Sequence, residues 1–327
     1  MSSNTSSATA GGEGTIAWFE NARASETAHA GGKGASLSRI ANAGLPVPRG
    51  FVVCASAFRE FLESINGIEI VETSLSGLDV HSDAALADAA AKIQNLICSN
   101  SLPPRICQAI REAYDDLGCE ALVAVRSSAI GEDSESASFA GQQETFLNVR
   151  GATTVEGRVK ECWASFFAPR AIFYRAQKGI LTDTRMAVVV QEMVLATKSG
   201  VMFTIDPVMK RRDHMVIEAV FGLGEGIVSG AITPDHYVLN RDDGSVVREF
   251  ISTQPVAVIP DVQSGGITHR ELSKEEGSAR VLSEGQLSAL HQMGLRIEAF
   301  FGTPQDVEWC IRDGDLLLLQ SRPITTL

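Results

Sequence analysis

Glu308, Gln320 and Arg322 are the residues near the C-terminal end whose types and spacing could do chemistry. Glu308 ends the apolar-polar run Asp306-Val307-Glu308-Trp309-Cys310, and Gln320 and Arg322 follow the apolar run at 316–319. If the two runs pair through the turn Arg312-Asp313-Gly314-Asp315, a carboxylate, an amide oxygen and a guanidinium meet near one edge. Carboxylate and amide oxygens suit Mg²⁺, and a guanidinium suits a polyphosphate. Taken alone, the same pattern also fits a surface hairpin with solvated charges.

Four further segments carry chemically useful types. Gly31-Gly32-Lys33-Gly34 precedes a helical stretch at 35–43, where the helix start would favour an anion and Lys33 would add a point charge. It is not a Walker P-loop, because G-x-x-x-x-G-K-[ST] is unmet, and a lone segment of this kind is more often a turn with an exposed lysine. Arg126 follows a strand-like run at 121–125 and opens a stretch, 127–145, rich in small and hydroxylated residues. Such a segment either folds over a phosphate chain or forms a plain flexible loop. Gln191, Glu192 and Val194 end a β-rich run whose main chain could pair with a purine, or they mark a buried strand meeting solvent. Asp206 and Glu218 are candidate neighbours of a metal or ribose. Gly222-Leu223-Gly224-Glu225-Gly226 fails as a dinucleotide fingerprint because position 227 is Ile.

The elements that must position these groups can be read from periodicity. Helices are expected at 56–65, 83–98, 104–117, 154–178 and 283–301, with Pro169 kinking or splitting the fourth. Strands are expected at 51–53, 121–125, 186–191, 200–204, 215–220, 236–240 and 246–252 and in the terminal pair. Helices dominate the first half and strands the second, which predicts a mixed α+β (α/β) chain rather than one doubly wound sheet. The stretch 259–276 reads as a surface excursion, and 1–14, rich in Ser, Ala, Thr and Gly, as a disordered tail.

Composition narrows the function class. A chain of 327 residues, 44% hydrophobic and 21% charged, can bury a large core. Its net charge of −12 disfavours non-specific binding to nucleic acid or an anionic membrane. The longest apolar run, 186–196, is interrupted by Gln191 and Glu192 and is too short to span a bilayer. Six cysteines without a C-x-x-C suit reduced thiols and a cytoplasmic location. No G-x-S-x-G, H-E-x-x-H or zinc-spaced Cys/His set occurs.

In order along the chain, GGKGASLSRIANAGLPVPRGFVV, RSSAIGEDSESASFAGQQETFLNV, QEMV, GVMFTIDP, EAVFGLGEGIVSGAITPDHYVLN and QDVEWCIRDGDLLLLQSRPIT occur between Ile16 and Thr326. Together they resemble the nucleotide-binding domain of the phosphoenolpyruvate synthase group, which includes pyruvate phosphate dikinase and rifampicin phosphotransferase. The resemblance implies an ATP-grasp-like fold of two lobes, 15–195 and 196–327, with ATP and Mg²⁺ between them. It implies that Lys33 and Arg126 neutralise phosphates and that Gly141 and Thr145 lie in the covering loop 127–145. Gln191, Glu192 and Val194 would then face adenine, Glu308 and Gln320 would be magnesium ligands, and Arg322 would clamp phosphate.

In that family ATP is split to AMP and phosphate, and the β-phosphoryl group passes through a histidine on a swivelling domain to an acceptor. This sequence departs from the pattern by lacking the Gly-rich T-S-H motif of the phosphohistidine turn. The expectation is therefore an ATP-binding subunit or excised domain, inactive alone for the full reaction, whose histidine and acceptor site lie on another subunit or domain. Phenylphosphate synthase, which is similar to a synthase split across subunits, offers a precedent for the first arrangement. A non-catalytic nucleotide sensor and an ADP-forming ATP-grasp ligase are the competing expectations.

Overall fold

The computed structural model describes residues 14–130, 144–181, 183–261, 263 and 265–325. All but the last residue of the expected tail at 1–14 and most of the covering loop, Gly141 included, lie outside these residues. The first part of the chain forms β1 (Ile16–Trp18), α1 (Thr27–Asn42), β2 (Gly50–Val53), α2 (Ala55–Ser64), α3 (Gly67–Leu75), α4 (Asp83–Ser99), α5 (Pro104–Leu117), β3 (Val123–Ala129), β4 (Thr145–Val149), α6 (Ala152–Ser165), α7 (Pro169–Gln177) and β5 (Met186–Glu192). The remainder forms β6 (Lys198–Phe203), β7 (His214–Phe221), α8 (Glu225–Val228), β8 (Asp235–Asn240), β9 (Val246–Phe250), β10 (Val256–Pro260), β11 (Ile267–Glu271), α9 (Lys274–Gly277), α10 (Glu284–Phe301), β12 (Gln305–Arg312) and β13 (Asp315–Pro323).

Two antiparallel sheets carry the site. The first has the order β1-β2-β5-β3-β4, the second β13-β12-β6-β7-β8-β9. On the first sheet, period-two alternation sends Val123, Val125, Val188 and Val190 into a core shared with Phe58, Phe61 and Trp163. Phe58 and Phe61 both stack on Trp163, with centroids 4.9 and 5.4 Å away. The opposite face of the same strands packs Ala187, Val189 and Val52 against Ala30, Ala35 and Leu37 of α1.

The second sheet buries Met202, Ile217, Tyr237, Val307 and Trp309 with Leu287, Leu290 and Ile297 of α10. A capping box starts α10: Gln286 N–H donates to Ser283 Oγ, and Ser283 N–H donates back to Gln286 Oε1. Gly302, at φ 72°, ends it. Because Val307, Trp309 and Ile311 occupy the core side of β12, alternation places Asp306 and Glu308 on the other face.

Helix α1 joins the two cores. Its Ile40, with Leu45 just beyond, packs into the second sheet's core. Ser36 Oγ donates to the Ser321 carbonyl at 2.5 Å, and Leu318 N–H donates to the Pro46 carbonyl at 2.8 Å.

Several expectations are corrected. The Gly-Gly-Lys-Gly segment lies within α1 rather than before it, with only Gly31 (φ 69°, ψ 177°) leaving helical geometry. The strand expected at 121–125 runs instead from Val123 to Ala129, because Ser127 and Ser128 pair with Val188 and Ala187 of β5. The helix expected at 154–178 with a kink or split at Pro169 does divide there, into α6 and α7, with Pro169 opening the second. The stretch read as an excursion overlaps the β10–β11 hairpin, which is anchored just before it where Leu223 N–H donates to the Val258 carbonyl at 2.8 Å. Elements as short as β1 escape a periodicity search because they hold too few residues to show a period.

Candidate functional site

The terminal hairpin forms as the turn chemistry requires, with Asp313 (φ 54°) and Gly314 (φ 94°) in the left-handed region. Glu308 is the cross-strand partner of Gln320, and Asp306 of Arg322. The register shifts between Glu308 and Trp309, so Leu319 has no partner residue on β12. This bulge keeps Gln320 opposite Glu308 while Leu318 still enters the core. The row continues across the sheet from Glu308 to Val201, Glu218 and His236. His236 Nδ1 lies 3.6 Å from Glu218 Oε1.

Arg126 ties this row to the first sheet. Its Nη2 donates to Glu308 Oε2 and to Gln320 Oε1, both at 2.7 Å, and its Nη1 donates to the Leu319 carbonyl at 3.1 Å. That carbonyl belongs to the bulged residue, so the irregularity in β13 supplies a third acceptor for the guanidinium. Burial pushes the Glu308 carboxyl up, but the charge and hydrogen bond of Arg126, helped by Lys33 and Arg322, hold it below the usual carboxylate range. Arg322 binds Asp306, with Nε and Nη2 donating to Oδ2 at 2.8 and 2.7 Å. Burial outweighs that pair and raises the Asp306 carboxyl, with Glu308 and Glu218 adding repulsion. Lys33 is buried, and its Nζ donates to the Ser127 carbonyl at 3.1 Å.

The structure thus brings together Lys33, Arg126, Glu308, Gln320 and Arg322, drawn from helix α1 and strands of both sheets. Thr145 is the cross-strand partner of Arg126 and also lines a cavity of about 580 Å³ with Leu147, Asn148, Arg158, Glu225 and Asp261. Through Thr145 the cavity borders the strand that carries Arg126, and the Glu225 carboxyl on its wall is raised by burial and by repulsion from Glu308, with Arg126 opposing. Gln191 is 2% exposed, and its Nε2 lacks a hydrogen-bond partner among the described residues. Glu192 is half-buried and its N–H already donates to the Arg49 carbonyl, while Val194 is buried. Next to them Met193, Val220, Leu223, Ile232 and Val258 make an apolar cluster.

Asp206 is not part of the arrangement. Its Oδ1 accepts from the N–H groups of Val208 and Met209, which makes it the cap of a turn. Glu218 remains on the row with Glu308. Among the described residues no group of three or more His, Cys, Asp or Glu could hold a metal ion. A cation here would have the Glu308 carboxylate and the Gln320 amide oxygen as protein ligands, a set that suits Mg²⁺ completed by water and phosphate oxygens. Asp306 was missed as a site residue although its two-residue offset from Glu308 matches that of Arg322 from Gln320. Leu319 has no signal in the sequence, since a bulge follows from register and not from residue type.

The sequence matches the family model described as pyruvate phosphate dikinase, AMP/ATP-binding domain, over residues 27–327. The chain belongs to that family. A probable phosphoenolpyruvate synthase of Methanocaldococcus jannaschii is 44% identical over 95% of this chain and 27% of its own length. Its counterpart in Methanothermobacter thermautotrophicus is 43% identical over 95% of this chain and 46% of its own length. A rifampicin phosphotransferase of Bacillus cereus is 36% identical over 91% of this chain and 34% of its own length. The chain therefore spans less than half the length of these relatives. Among solved structures, the ATP-grasp ligase PsnB aligns with a TM-score of 0.30 and 10% identity over 94% of this chain and 56% of that one, too slight a likeness to carry an argument. Among the described residues no helix is long and apolar enough to cross a membrane.

Proposed function

We propose that this chain is the ATP-binding component of a dikinase-type phosphotransferase. ATP binds between two lobes, 15–195 and 196–327, in an ATP-grasp-like cleft. It is split to AMP and phosphate, and the β-phosphoryl group passes to a histidine on a partner subunit or further domain and then to a small-molecule acceptor. A phenol, giving phenylphosphate, is one acceptor that fits a split arrangement; an excised domain of a phosphoenolpyruvate synthase or rifampicin phosphotransferase is the other origin.

The observation that carries the reading is the convergence on Arg126. One buried guanidinium from the first sheet reaches a carboxylate and an amide oxygen from the second at 2.7 Å each, with Lys33 and Arg322 contributing charge at the same carboxylate. Three cations gathered in a chain of net charge −12 form a local positive field suited to a polyphosphate. Lys33, Arg126 and Arg322 would bind the phosphates, and Gly141 and Thr145 would belong to the segment covering them. Gln191, Glu192 and Val194 would meet the base, where the unpartnered Gln191 amide nitrogen offers a donor.

Glu308 and Gln320 would hold Mg²⁺, which when bound screens the phosphate charge and orients the chain of phosphates. Arg126 must then leave Glu308 as the nucleotide enters, exchanging a carboxylate for phosphate oxygens. Phosphoryl transfer by positioning and charge stabilisation needs no protein base.

The test uses ATP labelled at the β-phosphate with Mg²⁺, this chain and fractions of a host lysate. The expected result is acid-labile label on a second polypeptide together with AMP, both abolished by Arg322→Ala. ATP binding without label or AMP in any fraction would replace the reading by a sensor, and ADP as sole product by a ligase.

A further inference from the structure

Helix α1 is interrupted at Gly31, so the N–H groups just beyond the break and the carbonyls just before it lack the partners a continuous helix would supply. The side chain of Ser128 on β3, 94 residues after Gly34, serves both cut ends. Its Oγ accepts the Gly34 N–H at 3.1 Å and donates its own proton to the Ala30 carbonyl at 2.8 Å. One hydroxyl therefore caps the downstream half of the helix and closes the upstream half, a role that an N-cap residue ordinarily fills from within its own chain segment. Ser82, Ser273 and Ser283 cap α4, α9 and α10 in that ordinary local way.

This contact demands glycine at position 31. A Cβ there would lie 2.1 Å from the Ser128 carbonyl oxygen and 2.4 Å from its Oγ. Backbone and hydroxyl thus approach to a distance that only a residue without a side chain permits. Ser128 itself is fully buried, and its backbone is fixed by pairing with Ala187 on β5.

We infer that Ser128 is a positioning residue that sets Lys33 against Arg126. Lys33 sits on the turn that Ser128 splices, one residue before the capped Gly34, and its Nζ reaches the Ser127 carbonyl. Arg126, Ser127 and Ser128 are consecutive on β3, a strand paired on both sides, with β5 and β4. The strand therefore indexes both cations at once: Arg126 by its own side chain, and Lys33 through the Ser128 hydroxyl and the Ser127 carbonyl. Two cations whose main-chain positions are fixed relative to each other recognise a polyphosphate better than two on independently mobile segments, because that part of the ordering cost is met during folding and not on binding.

The inference rests on the nucleotide-site reading above and is separable from it. Affinities for ATP and for adenosine are measured by calorimetry on the whole chain and on Ser128→Ala, Lys33→Met and the double variant. Ser128→Ala is expected to weaken ATP about tenfold, the scale of one lost cap or charged-group hydrogen bond, while adenosine affinity stays within about twofold. In the Lys33→Met background the same substitution should have little further effect on ATP, since its action passes through Lys33. Ser128→Thr, which keeps the hydroxyl, should retain the ATP-over-adenosine preference. Ser128→Cys, of similar size and poor as an acceptor, repeats the test should Ser128→Ala fold badly. Equal weakening of ATP and adenosine, or an undiminished Ser128 effect without Lys33, overturns the inference. Failure of the unsubstituted chain to bind ATP would instead overturn the site reading.

Discussion

Replacing Arg126 by Met tests the junction between the two sheets most directly. The side chain is 11% exposed and makes three hydrogen bonds through Nη1 and Nη2, two of them at 2.7 Å to Glu308 and Gln320. Removing one member of a well-buried ion pair costs about 3–5 kcal/mol, mostly from the charge left behind. Here the Glu308 side chain keeps 31% exposure, so water recovers part of that cost, and about 2–4 kcal/mol is expected. Urea unfolding of Arg126→Met should show a lowered midpoint with an unchanged slope. Adding Glu308→Gln removes the stranded charge while keeping the shape, so the double variant should recover about 1 kcal/mol or more relative to the sum of the singles. A loss below about 0.5 kcal/mol, or strictly additive effects, would refute the claim that this pair joins the sheets, since typical surface substitutions stay within that range.

Two further outcomes follow from the same geometry. Gly31→Ala forces a side chain into a conformation reserved for glycine and against the Ser128 carbonyl at 2.1 Å, so it should cost more than about 3 kcal/mol in thermal or urea unfolding. Gly44→Ala, at φ 68° with open space around its Cβ, should cost only about 1–2 kcal/mol, and equal losses at the two sites would contradict the account. The Glu308 carboxyl is held below its unfolded range, so the stability it contributes is present above an unfolded value of about 4.3 and is lost as pH falls through its lower folded value. The difference in unfolding midpoint between the parent and Arg126→Met should therefore be largest near neutrality and shrink below about pH 4. A difference independent of pH would place the stabilisation in packing and not in charge.

Much of the site was legible as residue types in order. Glycines beside a lysine, an arginine after an apolar run, and an acid and an amide flanking a turn are local features, and the hairpin itself follows from a two-residue turn, although plain alternation would set Glu308 against Leu319 and the bulge is what pairs it with Gln320. Alternation also decides by itself that Val307 and Trp309 go inward and Glu308 outward. Asp206 reads in sequence as a candidate neighbour of a metal or ribose, and in the structure its Oδ1 caps a turn, because an Asp before Pro suits both roles and only its neighbours decide.

What the amino-acid order determined alone was the mixed α+β class, most strand and helix positions and the inventory of cations and oxygens. Tertiary structure decided which of them meet. Arg126 and Glu308 lie 182 residues apart and touch only because helix α1 packs against strands of both sheets. The Leu319 bulge and the Ser128 cap at Gly31 likewise depend on register and close approach between distant segments. Local patterns encode which face of an element is apolar, whereas the pairing of faces is set by the packing of the whole chain.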